Sequence, residues 1–430
     1  MSAIALMRRA LALGYEGMAQ VARAVAAMAP RSSNKLLDTF AARRGVRKRF
    51  ASFRRDLSRP LLWMHAPSVG EGLQARPILE LARRANPGAQ LAYTYFSPSA
   101  QPFAETLDVD FRDVLPFDAA SDMRAALDAL VPTAIVFSKL DVWPTLAREA
   151  TRRGTRLGLV SATLAVSSSR RSGLASVLLR DAYARLDRVG AISAADADRL
   201  VALGVPSDRI RITGDTRYDQ VWARAQAVDR AGAPLALLRS TRPTVVAGST
   251  WPSDEAQLLP AWERVVARHR DARLILAPHE PTETHLAPLE AWATAAGLTV
   301  ARLSNAAAGT ADVVIVDRLG VLGDLYALAD IAFVGGAFHG AGLHSVLEPA
   351  AFGAPVLFGP QNRGSRDARL LLDAGGGMEV ADAAALERAL EQWVSSHADR
   401  SVAGSAARDV VRGGLGAAVR SWELVRELLR

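Results

Sequence analysis

The densest run of chemically able residues lies between positions 331 and 360, IAFVGGAFHGAGLHSVLEPAAFGAPVLFGP. Four apolar residues (331–334) read as a buried strand. A glycine-rich turn follows, then a short helix containing 348–352, a stop at Gly353 and a second strand over 355–358. Glycines let a backbone approach an anion, and a helix N-terminus favours negative charge, so the pattern is a place for phosphate. Glu348, at that helix start, is placed to accept two hydrogen bonds from a vicinal diol such as a ribose. Ser345-Val-Leu-Glu348 also has the spacing of a capping box, in which Glu348 would serve only its own helix. Pro349 favours a helix that begins at the proline and leaves Glu348 to a ligand. A second carboxylate stands in HAPSVGEG (65–72), directly after the apolar run 61–64. Glu71 falls there in a loop, or in the first turn of a helix over 73–84, at the carboxyl end of a strand, where open parallel sheets bind ligands. Its plainer role is a favourable charge at a helix N-terminus.

Other chemistries are poorly served. Asp108-Val-Asp110 looks like a metal-binding pair, but like charges alternating along an extended stretch read as solvent-facing. His65, His279, His285, His339 and His344 never reach i, i+4 spacing beside a carboxylate set, so no metal site is expected. There is no nucleophile elbow and no phosphate-loop lysine motif. Cysteine is absent, which removes disulfides, thiolate metal sites and a cysteine nucleophile.

The elements that must position these residues alternate strand and helix. Strands are expected at 61–64, 90–95, 114–117, 134–137, 157–161, 188–192 and 210–213. A helix over 220–239 follows, and the pattern restarts with strands at 244–247, 273–276, 313–316 and 331–334. Later helices are expected at 322–329, 367–374, 383–394 and 406–429. With 430 residues, half of them hydrophobic and 22% charged, the chain is long enough for two globular domains. The expected class is therefore α/β, two consecutive parallel-sheet domains facing a cleft.

Charge is uneven along the chain. Residues 1–60 hold thirteen Lys/Arg and three Asp/Glu, a net +10, and the rest sum to −2. Nucleic-acid binding is one reading of such an arm. The arm opens, however, with an apolar stretch (3–28) broken only by Arg8, Arg9, Glu16 and Arg23. Four charges make a spanning helix costly. A helix lying in a membrane interface, followed by cations for anionic headgroups, fits better; the plainer reading is a helix docked on its own domain.

Taken together the motifs resemble the Kdo (3-deoxy-D-manno-octulosonic acid) transferases, glycosyltransferase family 30, over about residues 40–400. HAPSVGEG is similar to the family's H-x-x-S-V-G-E loop, SKLDVWP (138–144) takes the place of its acidic-Leu/Phe-Trp motif, and GDTRYD (214–219) resembles its G-N/D-x-K/R-F/Y-D. GSTWPSDE (248–255), APHEPTE (277–283) and GLHSVLEPAAFGAPVLFGP (342–360) resemble its further motifs. The resemblance implies a GT-B fold of two Rossmann-like domains: a membrane-proximal segment (1–50), an acceptor domain (51–217), a nucleotide-sugar domain (218–395) and a C-terminal helix (396–430) packing back toward the first domain. It implies inverting, metal-independent transfer of Kdo from CMP-Kdo to a lipid A precursor, with no cofactor and no nucleic-acid partner, at anionic lipid on the cytoplasmic face of the inner membrane. Glu71 inherits the general base; Asp141 and Arg217 inherit transition-state contacts. His279, Gly323-Asp324-Leu325 and His344-Ser345-Val346-Leu347-Glu348 inherit nucleotide contacts. Asp141 stands where glutamate is usual, Ser345 where asparagine is usual, and Pro278 where an arginine often precedes the histidine. The same loops would admit another nucleotide sugar, and these departures also fit a catalytically silent membrane-associated binding protein.

Overall fold

A computed structural model of the chain describes residues 3–28, 34–165, 168, 173–340 and 342–430. Positions 1–2 and 29–33 of the basic arm, and Ala341 of the glycine-rich turn, lie outside them. The chain divides into two compact units, Met1–Gln220 with Gly416–Arg430, and Val221–Leu415.

Among the described residues the first unit holds one seven-stranded parallel sheet: β1 Leu61–His65, β2 Gln90–Tyr95, β3 Phe111–Val114, β4 Ala134–Ser138, β5 Arg156–Ala162, β6 Arg188–Ala191 and β7 Ile210–Ile212. Its order is β3-β2-β1-β4-β5-β6-β7. Every residue of β1, β2 and β4 is buried, because helices cover both faces of such a sheet; their sequences are accordingly near-continuous apolar runs. β1 pairs on one side with β2 and on the other with β4 (Leu62 beside Ala134, Trp63 beside Ile135). The strand order reverses between β1 and β4, so the chain leaves their carboxyl ends in opposite directions and a crevice opens there.

The second unit repeats the design with β8 Thr244–Thr250, β9 Arg273–Pro278, β10 Val300–Arg302, β11 Val313–Ile315, β12 Ile331–Val334, β13 Val356–Phe358 and β14 Gly377–Glu379. Its order is β10-β11-β9-β8-β12-β13-β14, again parallel, with the reversal between β8 and β12.

Several expected elements differ. The strand expected at 114–117 lies earlier: β3 is 111–114, paired with Ala92–Tyr95 of β2, and the chain leaves the sheet ahead of Pro116, which has no amide to pair. The helix expected over 220–239 runs Thr216–Ala227 and is followed by a separate turn, Leu235–Leu238, because Gly232 and Pro234 interrupt it. The helix expected over 322–329 is one turn, Leu322–Leu325, continued as 3-10. The helix expected over 406–429 is two, His397–Gly413 and Ala417–Glu427. Gly416, at φ 86°, takes a left-handed backbone that other residues adopt only at a cost, and it ends the run. The second unit keeps the first of these helices; the first unit takes the other, whose Trp422, Val425 and Leu428 join its core.

The apolar stretch 3–28 is one helix, Ala3–Met28. Three of its polar residues, Tyr15, Glu16 and Arg23, face its own unit. The Tyr15 hydroxyl donates to Asp118 (2.9 Å), the Glu16 carboxylate accepts from the Ala120 amide (2.9 Å), and Arg23 donates to the Ser121 hydroxyl (2.8 Å). Burial pushes the Asp118 carboxyl up to about 7 against the pull of the Thr145 and Leu146 amides and of Tyr15. On the opposite side Leu13, Met18, Val21, Val25 and Met28 are exposed. Over residues 13–28 the helix is thus docked through Tyr15, Glu16 and Arg23, with these apolar side chains outward. Among the described residues no helix is long and apolar enough to cross a membrane.

Candidate active site

In the first unit the reversal between β1 and β4 gathers Glu71 and the loop after β4. The helix after β1 begins earlier than expected, at Val69 with Ser68 as its N-cap, so Glu71 sits in its first turn. There the carboxylate is half-buried. The Ser68 hydroxyl donates to Oε2, and the Lys139 ammonium lies 3.0 Å from Oε1. Ser138 at the end of β4 donates its hydroxyl to the Glu71 carbonyl (3.1 Å), fixing the helix start to the sheet. Burial alone would raise the Glu71 pKa; the Ser68 hydroxyl and the Lys139 cation outweigh it and hold the carboxyl below its usual range. The group is therefore an ionised carboxylate at neutral pH, the form a base requires.

His65, which opens the HAPSVGEG motif, has a different role. It is fully buried, and its Nε2 accepts from the Trp143 indole N–H (3.0 Å). Indole nitrogen only donates, so the ring proton sits on Nδ1, facing the Thr94 hydroxyl at 3.0 Å. Burial drives its pKa down to about 3. A histidine locked neutral with both nitrogens engaged ties the loop bearing Trp143 to β1 and moves no protons.

Asp141 lies half-buried in the same loop, two residues beyond Lys139. Arg217 is the second residue of the helix Thr216–Ala227, and its Nε and Nη2 lie 2.9 and 2.7 Å from one oxygen of Asp215. The other Asp215 oxygen accepts from Gln74 (3.2 Å), one turn along the helix that carries Glu71. Thr216 donates to the Gln74 carbonyl at 2.7 Å. GDTRYD is thereby bonded to the Glu71 helix, and part of the Arg217 charge is already balanced by Asp215.

In the second unit the reversal between β8 and β12 gathers the loops after those strands. Gly335 and Gly336 follow β12 where only glycine fits. A Cβ on Gly335 would lie 2.4 Å from the Ser249 carbonyl, and Gly336 sits at φ 93°. Asp254, fully buried, clamps this turn by accepting from the amides of Trp251 (2.9 Å), Gly336 (2.8 Å) and Phe338 (3.1 Å). Trp251 is the centre of a ring stack: His339 lies parallel to it at 4.4 Å and His279 stacks at 4.6 Å. His344 meets His279 at 4.6 Å and accepts the Trp251 indole N–H through Nε2 at 3.3 Å. Burial, and then His279, lower the His344 pKa.

Glu348 is half-buried in the first turn of the helix Leu347–Phe352, whose cap residue, Val346, makes no side-chain capping bond. The capping box does not form, and the helix starts two residues before Pro349. Among the described residues no donor bonds the Glu348 carboxylate. Burial raises its pKa, Arg224 opposes and Asp324 adds to the rise. Asp324 itself pairs with Arg224 (2.9 Å). With six residues the helix has too few turns for a strong dipole, so affinity for an anion here must come from loop amides and side chains. Val346, Leu347 and Leu325 are buried in the core and Gly323 has no side chain, so these four can meet a ligand only through backbone. Ser345 is exposed and Asp324 partly so.

Sequence reasoning did not single out Lys139, Trp251 or Asp254. Only Trp251, an aromatic residue directly after Gly248-Ser-Thr at a strand end, carried a local signal. Among the described residues no group of His, Asp and Glu side chains gathers as a metal site.

Residues 44–220 match the family model described as 3-deoxy-D-manno-octulosonic-acid transferase (kdotransferase). The chain is 31% identical over 385 residues to the 3-deoxy-D-manno-octulosonic acid transferase of Bordetella pertussis, covering 86% of this chain and 87% of that one. It is 26% identical over 373 residues to the enzyme of the same name from Haemophilus influenzae, at 86% and 87% coverage. Among solved structures, UDP-GlcNAc 2-epimerase from Neisseria meningitidis bound to UDP-GlcNAc superposes with a TM-score of 0.63 at 11% identity, covering 86% of this chain and 99% of that one; this likeness is one of fold.

Proposed function

The chain belongs to the 3-deoxy-D-manno-octulosonic acid (Kdo) transferase family, and on that premise we propose that it moves Kdo from CMP-Kdo to a hydroxyl of a lipid A precursor. It is a glycosyltransferase of the GT-B fold. Glu71 carries the proposal: a half-buried, ionised carboxylate at the point where strand order reverses is suited to take a proton from an acceptor hydroxyl. The hydroxyl oxygen attacks the anomeric carbon as its proton passes to Glu71. The bond from that carbon to the phosphate oxygen breaks, and CMP leaves with the bonding pair. One displacement inverts the anomeric centre, and no metal takes part. Arg217 and Asp141 flank the reacting groups, with the Arg217 cation offsetting the donor's carboxylate or the leaving phosphate. The second unit takes the nucleotide, with Glu348 accepting from the ribose diol and His279, His344 and the 335–345 loop around the phosphate.

The exposed apolar face of the helix Ala3–Met28, beside the basic segment that follows it, supports peripheral attachment to anionic lipid. CMP-sugars place that attachment on the cytoplasmic face of the inner membrane. The test is the product mass after incubation with CMP-Kdo and a tetra-acylated lipid A precursor, with and without EDTA. A gain of one or more Kdo units in both is expected. No gain with CMP-Kdo, but one with another nucleotide sugar, would move the enzyme to a different donor. No gain with any sugar would leave a binding protein.

A further inference from the structure

Lys139 stands at the carboxyl end of β4 with a backbone φ of 67°. A long, unbranched side chain seldom takes this left-handed conformation, which costs free energy that surrounding contacts must offset. The strain is held in place from several sides. The Lys139 amide donates to the Val160 carbonyl of β5 (2.8 Å), and the Tyr183 hydroxyl donates to the next carbonyl, that of Leu140 (2.5 Å). This conformation goes with an ammonium 3.0 Å from Glu71 Oε1, from a side chain that is still 44% exposed. Glycine would satisfy the backbone without strain; a lysine there is explained by what its ammonium touches.

The other groups around Glu71 do not supply that charge. Ser68, at the cap of the same helix, is a neutral hydroxyl. His65 on β1 is neutral, with its pKa near 3, and the Tyr93 phenol on β2 is raised by burial and then by Glu71 itself. Among the described residues the cation within ion-pair distance of Glu71 is Lys139.

We propose that Lys139 is a positioning residue for the transfer: its ammonium holds the Glu71 carboxylate ionised and in one rotamer, and so sets the acidic edge of the enzyme's working pH range. The inference rests on Glu71 being the base. With Lys139 in place Glu71 stays ionised to lower pH; without it, burial dominates and Glu71 takes up its proton at higher pH.

The experiment is the pH dependence of kcat/KM with CMP-Kdo and the tetra-acylated lipid A precursor for Lys139→Met, Lys139→Arg, Lys139→Gly and Glu71→Gln. Lys139→Met is expected to move the acidic limb up by about half a pH unit or more, and Lys139→Arg to restore it. Lys139→Gly is expected to shift the limb as the methionine does while keeping Tm at or above that of the parent, since the strain is relieved. A purely structural lysine would give lower Tm and an unmoved limb, and that result overturns the inference. If Glu71→Gln is inactive and the limb does not move in Lys139→Met, this inference alone falls. If Glu71→Gln keeps parental kcat/KM, the base assignment falls and takes this inference with it.

Discussion

Replacing Glu348 by glutamine separates the two roles that its position allows. In the free protein its carboxylate is half-buried beside Asp324, and no described donor bonds it. Burial raises its pKa, Arg224 pulls the other way, and Asp324 adds to the rise. A group whose folded pKa is raised contributes stability that is fully present below its unfolded pKa and is lost as pH rises through the folded value. At neutral pH the parent therefore bears a desolvation cost that Glu348→Gln lacks. The variant should melt at the same temperature or higher at pH 7.5, with any gain vanishing toward pH 4. Nucleotide binding should respond in the opposite sense. A ribose diol gives two hydrogen bonds to a carboxylate, and exchanging charged for neutral acceptors costs about 1–3 kcal/mol, or ~5- to ~150-fold in Kd. Calorimetric titration with CMP measures the loss, and thermal melts across the pH range measure the stability. Unchanged CMP affinity together with a lower Tm would refute the reasoning and leave Glu348 serving its own helix.

Glu71→Gln should fold with parental Tm and lose turnover by about 10²-fold or more, the scale of a lost general base; near-parental kcat would remove Glu71 from the chemistry. Asp254→Ala leaves three loop amides without their acceptor, so it should lower Tm and weaken CMP binding together; a fall in Tm alone would detach the clamp from the nucleotide. Deleting residues 1–30 should abolish binding to anionic vesicles and leave CMP affinity intact, with full-length binding weakening as salt rises. It should also lower Tm, because the anchors Tyr15, Glu16 and Arg23 go with the helix. Vesicle binding that survives the deletion, or full-length protein retained in the membrane pellet after a high-salt wash, would end the peripheral reading.

What was legible in the sequence follows burial. β1, β2 and β12 were readable because both faces are covered and every position must be apolar or paired. β10 and β14 were not, since they are three-residue strands at the two edges of their sheet, too short to show a period. Glu71 and Glu348 stood out because glycines and a strand end framed them. Lys139 did not, because its meeting with Glu71 depends on β4 lying beside β1, and strand order is a long-range property that no local spacing encodes. Asp254 reaches 82 residues along the chain to the Gly336 amide for the same reason. Glu348 was assigned to a ligand on the expectation that the helix begins at Pro349. The helix begins at Leu347, which puts Glu348 second in it and not at the third position that a capping box needs, and this register leaves the carboxylate without a bond to the cap.

The chain's return to its first unit bears on how the protein is made. The helix Ala417–Glu427 packs on the helix that carries Glu71 and puts Trp422, Val425 and Leu428 into that unit's core. Asp219 accepts from the amides of Gly416 (2.7 Å) and Ala418 (2.9 Å), and Glu427 pairs with Arg188 at 2.7 Å. During synthesis, then, residues up to Gln220 wait for the helix Ala417–Glu427, while Val221–Leu415 is contiguous and free to fold in between. A nascent chain stalled short of residue 416 would expose the apolar seat of that helix, so the helix Val69–Ala85 gains its full support only once residues 416–430 have emerged.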